Sequence, residues 1–348
     1  TGIGFEAREG EWFLAHVAPA GPSANLTPFT GMEVTAIADR EIGPFDLVED
    51  FDYIPDRESL VQFWRAQIFF ASHVRPGTPV SIDFRDGSKA TFTPGKTTFP
   101  RVIGRVGMMF FLGLFSLFVG LGVVLKKPDD ERAVVFFFMV LSVGLIFLTF
   151  GSYTSRDIAM DMGVFTVFRV VNIVAFSFFP VLFLHFCLVF PERKKIVNNR
   201  AFLPVLYSLP LIVSAVYQPR ISFASLQVLF LGGLVAGVAS IVYGSIRAKT
   251  PRERYQIRWV LFGVGVFVAV FSATTLIPNI VLGHRLTSDR VPSFFFIFIP
   301  LSMAVAITRY RLMDIDTVFD TTVAYSLTLG VLALVDLGVL YAINVAAR

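Results

Sequence analysis

The sequence predicts a small α+β domain followed by an all-α polytopic membrane bundle of about eight helices. Three observations carry that prediction. The 348 residues are 55% hydrophobic and only 16% charged, against about 25% charged in ordinary soluble domains. Charge is unevenly placed: residues 1–100 hold 8 Lys/Arg against 14 Asp/Glu, and residues 101–348 hold 22 against 12. From residue 101 onward, apolar runs of 17–27 residues recur, and roughly 20 such residues cross a hydrocarbon core as a helix. Disorder and a wholly soluble enzyme are excluded. So is a nucleic-acid binder, because the basic residues lie between apolar runs, as in membrane loops.

Residues 1–98 form the first domain. Gly2-Ile3-Gly4-Phe5 opens it; glycines so spaced let neighbouring backbone N–H groups face one anion. Residues 11–17 (EWFLAHV) and 33–37 (EVTAI) read as strands, with a turn at Gly21-Pro22-Ser23 between them. Residues 41–56 are acidic and loop-like. Leu60, Phe63, Trp64, Ile68 and Phe70 fall near helical spacing, which predicts a helix over 57–74 that ends at Arg75-Pro76-Gly77. Residues 80–84 and 90–92 flank Asp86-Gly87, a hairpin signal. Thr1 is preceded by no methionine or signal sequence, so an upstream export segment is expected.

Residues 99–348 form the membrane bundle, with spans at 106–125, 133–152, 164–190, 201–217, 225–245, 259–281, 291–308 and 322–345. Pro180 is expected to kink the third. Loops 126–132, 191–200, 246–258 and 309–321 hold 14 Lys/Arg, and loops 153–163, 218–224 and 282–290 hold 4. The first set is therefore expected on the cytoplasmic side, with the N-terminal domain and Arg348 outside.

Catalytic and metal signatures are missing. Cys187 is the single cysteine, so neither an intrachain disulfide nor a cysteine-based metal site is open to the chain. His16, His73, His185 and His284 build no HExxH, and there is no GxSxG, Walker A or GxGxxG. No catalytic residue, metal or cofactor is expected. The polar residues inside spans are few: Arg169, Asn172, His185, Asn279, Asp336 and Asn344. Such groups are costly in lipid and face protein. Arg169 is expected to pair with Asp336, with Asn172 taking a leftover hydrogen bond; the rival reading has Arg169 snorkelling to the outer headgroups and Asp336 facing a wet cavity or a dimer partner. Gly233 and Gly237 form a GxxxG pattern, a surface for close helix packing.

The order of these elements over residues 2–94 resembles a PDZ domain of the bacterial periplasmic type. That resemblance implies a carboxylate-binding loop at Gly2, Ile3, Gly4 and Phe5, and a peptide groove between the following strand and helix 57–74, with Leu60 and Trp64 facing it. A PDZ-like spacer or dimer surface is the other reading of the same domain.

Two local signatures lie in the membrane part. Leu184-His185-Phe186-Cys187-Leu188-Val189-Phe190-Pro191-Glu192-Arg193 closes the third span, and Arg309-Tyr310-Arg311-Leu312-Met313-Asp314-Ile315-Asp316 joins the seventh to the eighth. With the first domain they resemble the multi-span sensory region of bacterial sensor histidine kinases, a group that includes competence-pheromone receptor kinases. The resemblance implies a homodimer in the bacterial cytoplasmic membrane, an extracytoplasmic ligand such as a peptide, a downstream histidine kinase and a response regulator. His185, inside an apolar run, is not expected to be a phosphoacceptor. Two alternatives stand beside this reading: a transporter or carrier with an extracytoplasmic peptide-binding domain, and the same sensor with a phosphatase or cyclase output.

Overall fold

The computed structural model describes residues 2–8, 10–19, 21–48, 54, 56–95, 99–154, 158, 160–217, 223–247, 250–271, 273–274 and 290–308. The protein is mostly helical, with a small β region at the N-terminus. It folds as two compact units, Thr1–Val124 with Pro128–Arg247 and Leu125–Lys127 with Ala248–Arg348.

In the first unit, β1 (Ile3–Arg8) and β2 (Glu11–Val17) form an antiparallel hairpin, and Phe13 bridges to Glu33. A second sheet has the order β4-β3-β5-β6, from β3 (Val34–Ile37), β4 (Arg40–Glu41), β5 (Val80–Phe84) and β6 (Lys89–Phe92). The Asp86-Gly87 hairpin forms as the sequence predicts. Gly87 takes φ +84, and Asp83 aligns with Lys89 across it. Helix α1 (Arg57–His73) closes the domain. Ala66 and Phe70 of α1 join Ile3, Leu14, Ile37 and Ile82 in one buried core.

The small N-terminal β region thus consists of two sheets, with one long helix beside them. That helix starts where the sequence supplies a cap. Asp56 Oδ1 accepts from the Ser59 backbone N–H at 2.9 Å, and Oδ2 accepts from the Ser59 hydroxyl at 2.9 Å.

The same unit contains α2 (Phe99–Lys126), α3 (Glu131–Thr154), α4 (Met162–Val189), α5 (Phe202–Tyr217) and α6 (Phe223–Arg247). Helix α4 is capped by Asp161, which accepts from the Val164 N–H at 3.0 Å. Pro180 lies inside α4, and the helix continues through it to Val189.

The GxxxG glycines of α6 meet α4, as the pattern predicts. A Cβ on Gly233 would lie 2.6 Å from Pro180 Cβ, and one on Gly237 would lie 2.6 Å from the Phe183 ring. On the other side of the bundle, a Cβ on Gly113 of α2 would meet the Gly144 carbonyl of α3 at 3.0 Å.

The second unit holds α7 (Pro251–Phe271), α8 (Arg290–Phe295) and α9 (Phe298–Thr308). Gln256 donates to the Ala306 carbonyl at 2.9 Å, and Lys127 donates to the Ile307 carbonyl at 2.8 Å. The span expected unbroken over 291–308 is interrupted between Phe295 and Phe298. Pro300 has no N–H with which to bond the Phe296 carbonyl, and the neighbouring bonds tighten to three-residue steps, Ile297 N–H to Phe294 and Ile299 N–H to Phe296.

Among the described residues, four helical stretches are long and apolar enough to cross a bilayer: Val106–Lys126, Glu131–Gly151, Met162–Val189 and Glu253–Phe271. Shorter apolar helical stretches occur at Phe202–Ile212, Gly232–Gly244 and Ser293–Thr308. The eighth expected span, 322–345, lies outside the described residues.

Candidate functional site

Helix α1 buries two apolar patches in sequence along its length. Its C-terminal half, with Ala66 and Phe70, closes the sheet core. Its N-terminal half, a turn earlier, carries Leu60, Phe63 and Trp64. These three pack with Phe165 and Phe168 of the first turns of α4. Trp64 meets Phe165 edge-on at 5.2 Å between ring centroids, and Phe63 is fully buried.

The arginine expected to pair with Asp336 is found here. Arg169 is 5% exposed, and its guanidinium lies 5.3 Å from the centroid of the Trp64 ring. A desolvated cation over an indole face is stabilised by about 2 kcal/mol. Burying this arginine near the end of an apolar helix is therefore offset in part by an aromatic side chain from α1.

Three sequence expectations are corrected at this site. Leu60 and Trp64 do not face a peptide groove, because their helix face is occupied by α4. Asn172 does not serve Arg169; it donates to Thr149 Oγ1 at 3.0 Å and to the Ile146 carbonyl at 3.3 Å, fastening α4 to α3. Gly4 and Phe5 do not sit in a loop but in strand β1, where Gly4 aligns with His16; Ile3 of the same strand points its side chain into the core. Gly2 alone of the four takes a left-handed backbone, φ +75, and its carbonyl accepts from Ala18 N–H at 2.8 Å. Asp336 lies outside the described residues, as do Asn279, His284 and Asn344.

Residues that the spacing argument passed over are Val61 and, apart from its helical register, Ile68. They are the exposed large apolar side chains of α1, at 41% and 56% exposure. With Arg65 between them they form the outward stripe of the helix at steps of four and three. That register is readable in the sequence once the two buried patches are assigned.

At the other end of α4, about 35 Å from Phe165 to Leu188 at 1.5 Å per residue, lies a polar cluster. His185 Nδ1 is 2.8 Å from the Tyr207 hydroxyl of α5, and its Nε2 is 3.7 Å from Glu131 at the start of α3. Glu131 also pairs with Arg193, and Arg132 donates to the Pro191 carbonyl at 3.0 Å. The loops 126–132 and 191–200, which the charge count assigns to one side, therefore meet. Lys194 turns back between α4 and α6, donating to the Cys187 carbonyl at 3.0 Å, the Ser240 carbonyl at 2.7 Å and the Ser240 hydroxyl. Burial pulls its ammonium below the usual lysine range. Cys187 is buried, and no group of three or more potential metal ligands occurs among the described residues.

Four helical stretches long and apolar enough to cross a bilayer mark the chain as a membrane protein. Comparison with protein families, with curated proteins and with solved structures finds no match for this chain.

Proposed function

We propose that the chain is the ligand-sensing input region of a dimeric membrane sensor in the bacterial cytoplasmic membrane. In this reading residues 1–98 are a PDZ-like extracytoplasmic domain, and residues 99–348 form a bundle of about eight spans. The resemblance of the two membrane signatures points to a downstream histidine kinase and a response regulator.

The observation that carries the proposal is the seat of α1 on α4. The N-terminal half of α1 packs on Phe165 and Arg169, and α4 continues as one 28-residue helix to the basic loop at 191–200. A ligand that favours one packing of the domain would shift α4 by its differential affinity for two arrangements. The basic loop chemistry supports a cytoplasmic position for the far end. A peptide ligand would have the outer edge of β1 available, since among the described strands β1 pairs with β2 alone.

The test uses the complete gene product in inverted membrane vesicles supplied with radiolabelled ATP. Phosphoryl transfer to a histidine, with a rate altered by Trp64→Ala, is the expected result. Absence of phosphoryl incorporation together with solute uptake by right-side-out vesicles would replace the sensor reading with the carrier one.

A further inference from the structure

A cleft of about 630 Å³ runs between α3 and α4, with Tyr207 of α5 in its lining. Phe138, Leu145, Val174, Phe178 and Leu182 supply its apolar walls. Small-molecule sites occupy roughly 300–1,000 Å³ and often lie between helices of bundles, with few polar groups fixing orientation. The walls from α3 and α4 lie inside stretches long and apolar enough to cross a bilayer. Its rim residues Phe138, Val170 and Val174 are exposed. The mouth therefore opens toward acyl chains, and an occupant enters sideways from the bilayer.

From Leu182 back to Val170 the α4 wall is about 18 Å long at 1.5 Å per residue. This is close to one leaflet of a roughly 30 Å hydrocarbon core. The volume suits a single chain.

The Tyr207 end fixes the chemistry of the head. Tyr207 stands about 8 Å inside α5 from Phe202, at 1.5 Å per residue. A phosphate or carboxylate drawn to that depth would be costly, and the nearby Arg193 is already paired with Glu131. The head is therefore small and neutral. His185 is 5% exposed, and its Nε2 has no hydrogen-bond partner among the described residues. Placing the ring hydrogen on Nε2 aims it at the Glu131 carboxylate. Nδ1 then accepts from the Tyr207 hydroxyl at 2.8 Å, which leaves the Tyr207 oxygen as an acceptor. A head group that meets it must donate.

We propose that this cleft binds a neutral single-chain amphiphile of the bilayer, of the monoacylglycerol class, with its chain along α3 and α4 and a hydroxyl donating to Tyr207. The proposal concerns the α3–α4–α5 cleft alone and holds whatever the output of the protein.

The full chain in phosphatidylcholine nanodiscs is irradiated with a monoacylglycerol carrying a diazirine on its chain, and labelled residues are mapped by mass spectrometry. Label should concentrate on 138–145 and 170–182. Unlabelled monoacylglycerol should displace it, and phosphatidylglycerol at equal concentration should not. Tyr207→Phe keeps the ring and removes the hydroxyl, and should weaken displacement about tenfold, the loss of one hydrogen bond of roughly 1.4 kcal/mol. Val174→Trp, at the rim, should block labelling of the cleft. Label on the lipid-facing Val164 and Val167 serves as the reference for a folded helix and should stay constant in both variants. Equal labelling of Val164, Val167 and the cleft, displacement by phosphatidylglycerol as readily as by monoacylglycerol, or an unchanged Tyr207→Phe protein would overturn the proposal.

Discussion

Asn172 shows how a single polar side chain orders two spans. Its amide donates to Thr149 Oγ1 and the Ile146 carbonyl, and Thr149 in turn donates to the Leu145 carbonyl at 2.6 Å. Interhelical bonds of this kind are worth about 0.6 kcal/mol in membranes and reach about 1.7. Asn172→Leu should therefore destabilise the bundle by about 1 kcal/mol, read as an earlier midpoint in denaturant-driven unfolding from detergent; an unchanged midpoint would remove Asn172 from the packing account. That a polar residue inside a span faces protein is legible in the sequence. Its partner is not, because lipid exposure and helix contact give the same pattern of apolar neighbours. Arg169 is the same case at higher cost. Its charge marks it, but its stacking partner Trp64 lies in α1, more than a hundred residues earlier, and no spacing rule connects the two.

The glycine surface of α6 was legible as an element because GxxxG states its own mechanism: two small residues one turn apart admit a neighbouring backbone. The structure adds a difference between the two positions. Gly233 faces the Pro180 carbonyl at 2.9 Å from a built Cβ, whereas Gly237 faces the edge of the Phe183 ring. Backbone yields less readily than a side-chain rotamer. Gly233→Ala should thus cost more stability than Gly237→Ala, within the roughly 1–3 kcal/mol of overpacked sites; equal losses would mean that both neighbours relax. For α1, the acid response follows from its cap. Hydrogen bonds from the Ser59 N–H and hydroxyl hold the Asp56 carboxyl below its ordinary value of 3.8. The depressed value means that the cap is at full strength above pH 3.8 and is lost as pH falls through the lower folded value. The protection of the Ser59 amide relative to its intrinsic exchange rate should fall in that acid window, and Asp56→Asn, which caps without titrating, should abolish the fall. The break between α8 and α9 was also written in the sequence at Pro300. It was hidden by the hydropathy of 291–308, which measures length and not the backbone bonds that proline omits.

Across the whole first unit, an aromatic cluster holding one arginine and a polar cluster stand at opposite ends of α4. Phe63, Trp64, Phe165 and Arg169 sit at the N-terminal end, and Glu131, His185, Arg193 and Tyr207 sit at the C-terminal end. A small β region ahead of long apolar helices was readable from composition and residue spacing. The join between them was not. Leu60 and Trp64 carry the same helical register whether they cover a peptide groove or a membrane helix, and only the packing partners of the N-terminal half of α1 distinguish the two. The sensor account depends on that join. It is tested most directly by paired cysteines in native membranes, at positions 64 and 165 and, for comparison, at 68 and 165. Buried Cys187 is replaced by serine in both. The Trp64 and Phe165 rings touch at 5.2 Å, while Ile68 is exposed. The 64–165 pair should be bridged rapidly and nearly completely by a short bifunctional thiol reagent that spans the space of the two rings, and the 68–165 pair should not. Cross-linking of 64–165 no faster than 68–165 would contradict the seat of α1 on α4, and with it the proposed route from the N-terminal domain into the bundle.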